Sequence, residues 1–206
     1  MANSSDTHLS KSLSWLLRHG APKVGLSIDS EGFASVNDVL SVANLKKYSE
    51  DDVCRVVANN TKQRFALKRT ESGILMIRAN QGHTIRVENL DLTPITSADS
   101  FSTVVHGTFY RNWDSIRQHG LSRMKRTHIH LAPGLPGQDQ VISGMRSSCD
   151  LWIYVDLALA LQDQLQFFLS SNNVILCPGD ADGCLLPKYF SRVVRKEKGS
   201  MVSLFP

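Results

Sequence analysis

Sulfur is scarce in this chain: Cys54, Cys149, Cys177 and Cys184 are its four cysteines, and none lies in a C-x-x-C spacing. That excludes a zinc ribbon and argues against a disulfide framework, leaving the thiols as packing residues. Long apolar runs are missing too. No stretch of about 18 apolar residues exists, so no membrane-spanning helix is expected. The opening Met1–His8 is polar and has no apolar signal core, so an intracellular, soluble protein is expected. Nor does charge of one sign dominate, because 23 Lys and Arg stand against 19 Asp and Glu, for a formal net charge of +4. The resulting pI of 8.9 permits an anionic partner without demanding one. Repeats and low-complexity tracts are also absent. With 42% apolar and 20% charged residues over 206 positions, the composition is that of one generous or two compact globular domains.

Leu9, Leu13, Leu16 and Leu17 recur at helical spacing and predict a first helix ending near Arg18, His19 and Gly20. Gly25–Ile28 and Phe33–Ala34 read as short extended pieces around the turn Asp29–Gly32. Ser35 caps a second helix with Val36, Val39 and Leu40 as its stripe. Ser49, with Asp52 three residues on, opens a third as an acidic variant of the capping box. Arg64–Lys68 and Leu75–Arg78 then form a hairpin with the polar tip Thr70–Gly73. Helix, short strand, two helices and a two-stranded wing is the order of a winged helix-turn-helix, and it spans residues 1–90. Residues 91–102, with Pro94 and several Ser and Thr, read as a linker. Residues 103–206 carry short apolar strands around Val104, Ile129, Leu151–Val155 and Val174–Leu176, with helices over Trp113–His119 and Leu157–Leu165. The fold class expected is α+β in two lobes.

Five clusters could carry chemistry. Arg18 and His19 extend past a helix end, where they could face a phosphate or simply complement the helix dipole. Lys62, Arg64, Lys68 and Arg69 line the hairpin, as an anion site or as a charged strand edge that discourages pairing. His106-Gly107-Thr108 runs a strand into a glycine that lets a ligand approach the backbone. In Arg126-Thr127-His128-Ile129-His130-Leu131 the two-residue period sets His128 and His130 on one face. A metal is not expected there, since no third ligand stands at a suitable spacing. Ser143-Gly144-Met145-Arg146 offers a loop guanidinium that could border a pyrophosphate.

In order, LSWLLRHG (13–20), GFASVNDV (32–39), Arg64-Phe65, IRANQGH (77–83), His106-Gly107-Thr108, Gly120-Leu121, HIHL (128–131) and the stretch 174–187 resemble the RNA 2'-phosphotransferase family (KptA/Tpt1). The resemblance implies a winged-helix lobe and a C-terminal lobe of ADP-ribosyltransferase type. It implies NAD as co-substrate, no metal, and RNA with an internal 2'-phosphate, as left at a tRNA splice junction. The family's catalytic quartet maps to Arg18, His19, Arg64 and Arg126, with Arg123 as the alternative for the last. NAD contacts map to His106, Gly107, Thr108, His130 and Leu131, with Arg146 nearby. The implied chemistry is attack of the 2'-phosphate on the anomeric carbon of the nicotinamide ribose. Attack of the ribose 2''-hydroxyl on phosphorus follows, giving a free RNA 2'-hydroxyl, nicotinamide and ADP-ribose 1'',2''-cyclic phosphate. A cytoplasmic monomer, with a nuclear share left open, is the expected state. Two rivals are carried beside it: an ADP-ribosyltransferase that caps 5'- or 3'-terminal phosphates of RNA or DNA, and a winged-helix nucleic-acid-binding protein without catalysis.

Overall fold

The structure, a computed structural model, describes residues 4–135, 137, 141, 144–146 and 148–205. The chain forms two compact units, Met1–Asp91 and Leu92–Pro206. The mixed helix and sheet content is that of an α+β protein. No helix among the described residues is long and apolar enough to cross a membrane.

In the first unit the leucine stripe does form a helix, α1 (Ser4–Trp15), but the helix does not stop at Gly20. It passes through a π-helical turn, Leu16–Gly20, into α2 (Ala21–Val24), and ends at Gly25, whose φ of 70° is the left-handed cap. The expected halt at Gly20 is therefore corrected, because that glycine keeps helical angles, φ −95° and ψ −18°. Leu9, Leu13, Leu16 and Leu17 are all fully or almost fully buried. Gly25–Ile28 pairs with nothing as a strand; only β1 (Ala34–Ser35) forms. The capping predictions hold. Ser35 accepts from the Asp38 N–H at the start of α3 (Val36–Ser41), and Ser49 with Asp52 forms the reciprocal box at α4 (Glu50–Ala58). β2 (Phe65–Arg69) and β3 (Leu75–Ala79) make the hairpin, and β1 adds antiparallel to β3, with Ala34 opposite Ile77. Helix residues Leu13, Leu17, Val36, Val39 and Val53 close the core over Phe65, Ile77 and Ala79.

The second unit begins where a linker was expected. Residues 92–94 form β4 (Leu92–Pro94), antiparallel to β9 (Phe168–Ser170), and Ile95 enters the core, so apolar side chains draw this segment into the unit. Between them come β5 (Val105–Thr108), α5 (Trp113–His119), β6 (Leu121–Ser122), β7 (Ile129–Leu131), β8 (Leu151–Val155) and α6 (Leu157–Gln162). α6 is three residues shorter than expected, since the chain turns left-handed at Gln164, φ 63°. β10 (Ile175–Cys177), β11 (Cys184–Leu185), β12 (Phe190–Glu197) and β13 (Ser200–Phe205) complete it. Two four-stranded antiparallel sheets result, β4-β9-β10-β7 and β13-β12-β8-β5, beside the small pair β11-β6. Val105 and Ala132 join the large sheets by reciprocal N–H to carbonyl bonds of 3.0 and 2.8 Å. All four cysteines are free thiols, as expected, and burial pushes the Cys177 thiol up to about 11, leaving it inert at neutral pH.

Candidate functional site

The chemistry-bearing residues form one group in each unit. In the first, the π turn explains how Arg18 and His19 are presented. Pro22 has no N–H, so the helical bond it would give to the Arg18 carbonyl cannot form. The Ala21 N–H reaches back five residues to Leu16 instead, and the Arg18 carbonyl accepts from outside the helix, from Thr84 N–H at 2.9 Å and Thr84 Oγ1 at 3.4 Å. Such one-turn π segments concentrate at functional sites. Since Thr84 Oγ1 gives its proton to that carbonyl, it accepts from His19 Nδ1, 3.0 Å away, which places the Nδ1 proton on the imidazole. The Arg18 side chain lies along the bare backbone of Gly82, whose φ is 91°; a Cβ there would stand 3.4 to 3.5 Å from the guanidinium atoms Nε and Cζ.

Arg64 is tied to the other end of the same segment. Asn80 N–H donates to the Arg64 carbonyl at 2.9 Å, and Asn80 Nδ2 to the Gln63 carbonyl at 2.7 Å. Gln63 holds a left-handed φ of 44°, which costs energy in a residue with a side chain and persists because neighbours over-determine it. Asn60 Oδ1 receives the Arg64 N–H and Nη1, both at 3.3 Å. Among the described residues Arg64 makes no ion pair; burial holds its guanidinium below the ordinary value, and burial followed by the charge of Arg64 does the same to Lys62. A half-buried guanidinium facing a neutral amide rather than a carboxylate has the electrostatics of an anion site. Sequence reasoning flagged Arg18, His19, Arg64 and Lys62, and missed their supports Asn60, Asn80 and Thr84. One signal was available: Asn80, Gln81 and His83 are polar residues directly after the β3 run, and the structure buries all three.

In the second unit His106, His130, Arg126 and Arg146 come together. His106 Nδ1 donates to the His130 carbonyl at 2.8 Å. Burial, and then the charge of Arg126, hold the His106 imidazole below its ordinary value against that bond, so it is neutral at pH 7. Arg126 Nη1 lies 3.4 Å from His130 Nδ1; a guanidinium only donates, which puts the His130 proton on Nε2. Burial and the charge of Arg146 lower Arg126 in turn. Arg123 goes elsewhere: its side chain packs on the backbone of Gly183, its Nη1 donates to the Arg126 carbonyl, and its charge, after burial, depresses His128. His128 precedes β7 and edges onto Phe168, with ring centroids 6.1 Å apart. The strand residues Ile129, His130 and Leu131 are all buried, so β7 is covered on both sides. Thr108 Oγ1 accepts from Asn112 Nδ2 at 3.1 Å. Gly107 is glycine for room, since a Cβ would stand 2.9 Å from Cys149 Sγ, Met145 Cβ and Met145 Sδ. Ser143 lies outside the described residues. Among the described residues no group of three or more His, Cys, Asp or Glu could hold a metal ion.

Known proteins are similar to this chain over most of its length. A family model described as RNA 2'-phosphotransferase, Tpt1 / KptA family, matches residues 4–179. A zebrafish (Danio rerio) protein named tRNA 2'-phosphotransferase 1 is 54% identical over 195 residues, covering 93% of this chain and 87% of the relative. The human protein of the same name is 49% identical over 192 residues, covering 92% and 76%. A Saccharomyces cerevisiae tRNA 2'-phosphotransferase is 42% identical over 179 residues, covering 83% and 78%.

Proposed function

The chain belongs to the RNA 2'-phosphotransferase family of Tpt1 and KptA, and from that membership we propose that it is the transferase that removes the internal 2'-phosphate left at a tRNA splice junction. NAD is the co-substrate: the RNA 2'-phosphate displaces nicotinamide from NAD, and the ADP-ribose then leaves with the phosphate as the 1'',2''-cyclic ester. We assign residues 1–91 as a winged-helix lobe and 92–206 as an ADP-ribosyltransferase-like lobe. The element orders support this, three helices with a three-stranded sheet in the first and two bridged antiparallel sheets in the second.

The residues suit the demands of each step. An ionised phosphate needs no general base, so the first step needs alignment, which guanidiniums supply through paired hydrogen bonds to phosphate oxygens. Arg18, Arg64 and Arg126 take that role. In the second step charge builds on a five-coordinate phosphorus, and the same three cations stabilise it. His19, which gives its Nδ1 proton to Thr84, donates to the departing 2'-oxygen from Nε2 in its doubly protonated, imidazolium form. His106, Gly107, Thr108, His130, Leu131 and Arg146 are the residues we assign to the dinucleotide. Their fit is one of charge, because Arg126 and Arg146 repel one another and a pyrophosphate between such groups relieves that cost.

The observation that carries the reading is the segment Asn80–Thr84. It holds the Arg64 carbonyl at one end and Arg18 with His19 at the other, with distances of 2.9, 2.9 and 3.0 Å. The test is incubation with NAD and an oligoribonucleotide bearing one internal 2'-phosphate. Release of nicotinamide, an RNA with a free 2'-hydroxyl, and ADP-ribose 1'',2''-cyclic phosphate is expected. A stable ADP-ribosylated RNA as sole product would make the enzyme a capping transferase, and no nicotinamide release would leave only a binding protein.

A further inference from the structure

Trp15 stands beside the first-unit cations in sequence and is not used by the reading above. Its side chain closes α1, yet the residue is 45% exposed, while the other tryptophans, Trp113 and Trp152, are each 8% exposed. The π turn accounts for its position. A turn closed five residues apart brings Gly20 beneath residue 15, and a Cβ on Gly20 would collide with Trp15 ring carbons Cζ3, Cη2 and Cε3. Gly20 keeps helical angles and is buried, so its lack of a side chain serves to seat the ring against backbone. Of the aromatic residues more than a third exposed among the described residues, Tyr110 lies under the Arg195 guanidinium at 3.6 Å and Phe205 ends the terminal strand. Trp15 alone of these closes α1 directly before the π turn that carries Arg18 and His19.

We propose that Trp15 is a stacking platform for a nucleobase flanking the 2'-phosphate, a binding residue that sets how the RNA strand enters. This rests on the phosphotransferase reading, since Arg18 and His19 must hold the phosphate. The chemistry then follows from the nucleotide itself. The 2'-phosphate and the base sit on adjacent ribose carbons, so groups that fix the phosphate bring a base within a side chain's reach. A ring seated on a glycine loses little freedom on stacking, and stacking is tolerant of base identity because every base has a π-face. The occupant is RNA, not protein, because the ring stands at the entrance to the π turn that carries the cation Arg18 and His19, the groups proposed to hold the phosphate.

The experiment uses the full chain. Intrinsic fluorescence is titrated with a short oligoribonucleotide carrying one internal 2'-phosphate, with the same strand made abasic at the nucleotides flanking it, and with inorganic phosphate. Quenching by the first probe alone is expected, since Trp113 and Trp152 are buried. Trp15→Ala should raise KM for the oligonucleotide by roughly 5- to 150-fold, the range for loss of one stacked base. Its KM for NAD should be unchanged, Trp15→Tyr should recover most of the loss, and the abasic strand should show no difference between Trp15→Ala and the parent. Equal KM values for parent and Trp15→Ala, or an equal loss on the abasic strand, would overturn the proposal. Quenching is read without turnover, so absence of nicotinamide release would count against the phosphotransferase reading and leave the stacking result standing by itself.

Discussion

Arg64→Ala removes one guanidinium while leaving its backbone anchors in place. The Arg64 N–H still meets Asn60 Oδ1 at 3.3 Å and its carbonyl still receives Asn80 N–H at 2.9 Å. The side chain is half-buried and forms no ion pair among the described residues, so its loss leaves no carboxylate stranded, and fold stability should change by less than about 1 kcal/mol. Catalysis should change far more. Loss of one preorganised donor to developing charge typically costs on the order of 2.7–4 kcal/mol, about 100- to 1,000-fold in rate. Charge accumulates on phosphorus only in the second step, so the two steps should respond unequally. Rapid-quench measurement with NAD and a 2'-phosphorylated oligonucleotide should show ADP-ribosylated RNA accumulating in the variant. Arg64→Lys should recover part of the rate as a point charge without the bidentate fork. Equal slowing of both steps would refute the division of roles, and an unfolded variant would refute the stability argument.

Asn80→Ala should lose about 1–3 kcal/mol in denaturant titration, because it strips the 2.7 Å bond that holds Gln63 in its left-handed turn; kcat should fall with it through Arg64. Gly107→Ala places a Cβ 2.9 Å from Cys149 Sγ and Met145. It should cost about 1–3 kcal/mol and raise KM for NAD more than KM for RNA. His106 and His128 are both depressed, chiefly by burial. The unfolded chain therefore takes up protons before the folded one, and second-unit stability should decline as pH falls below 6.5, the ordinary value for both rings. Thermal melts of His106→Gln should show a flatter decline there. RNA affinity should fall steeply with added salt as counterions are released, and nicotinamide release should persist in a chelator, since the proposed steps use the protein's own cations; inactivation by the chelator would contradict them.

The helix stripe of α1, the capping box at Ser49 and the hairpin over residues 65–79 were legible because each is set by neighbours within a few residues. The C-terminal hairpin β12–β13 was not anticipated, although Lys198 and Gly199, with φ of 48° and 88°, make a left-handed two-residue turn. Its strands mix charged with apolar residues, and burial of Phe190, Val193 and Val194 depends on β8 rather than on local pattern. The Arg126 versus Arg123 ambiguity had the same origin. Both are basic and three positions apart; packing sends one to His130 and the other to Gly183.

Composition, periodicity and the ordered short motifs determined by themselves that this is an α+β chain with a first helical region and a strand-rich remainder, and which arginines and histidines were worth watching. They could do so because residue type and spacing are properties of the chain alone. The left-handed Gln63 and the tautomers of His19 and His106 were decided by tertiary structure. Each depends on a partner more than ten residues away: Thr84 for His19, Asn80 for Gln63, and the strand β7 carbonyl for His106.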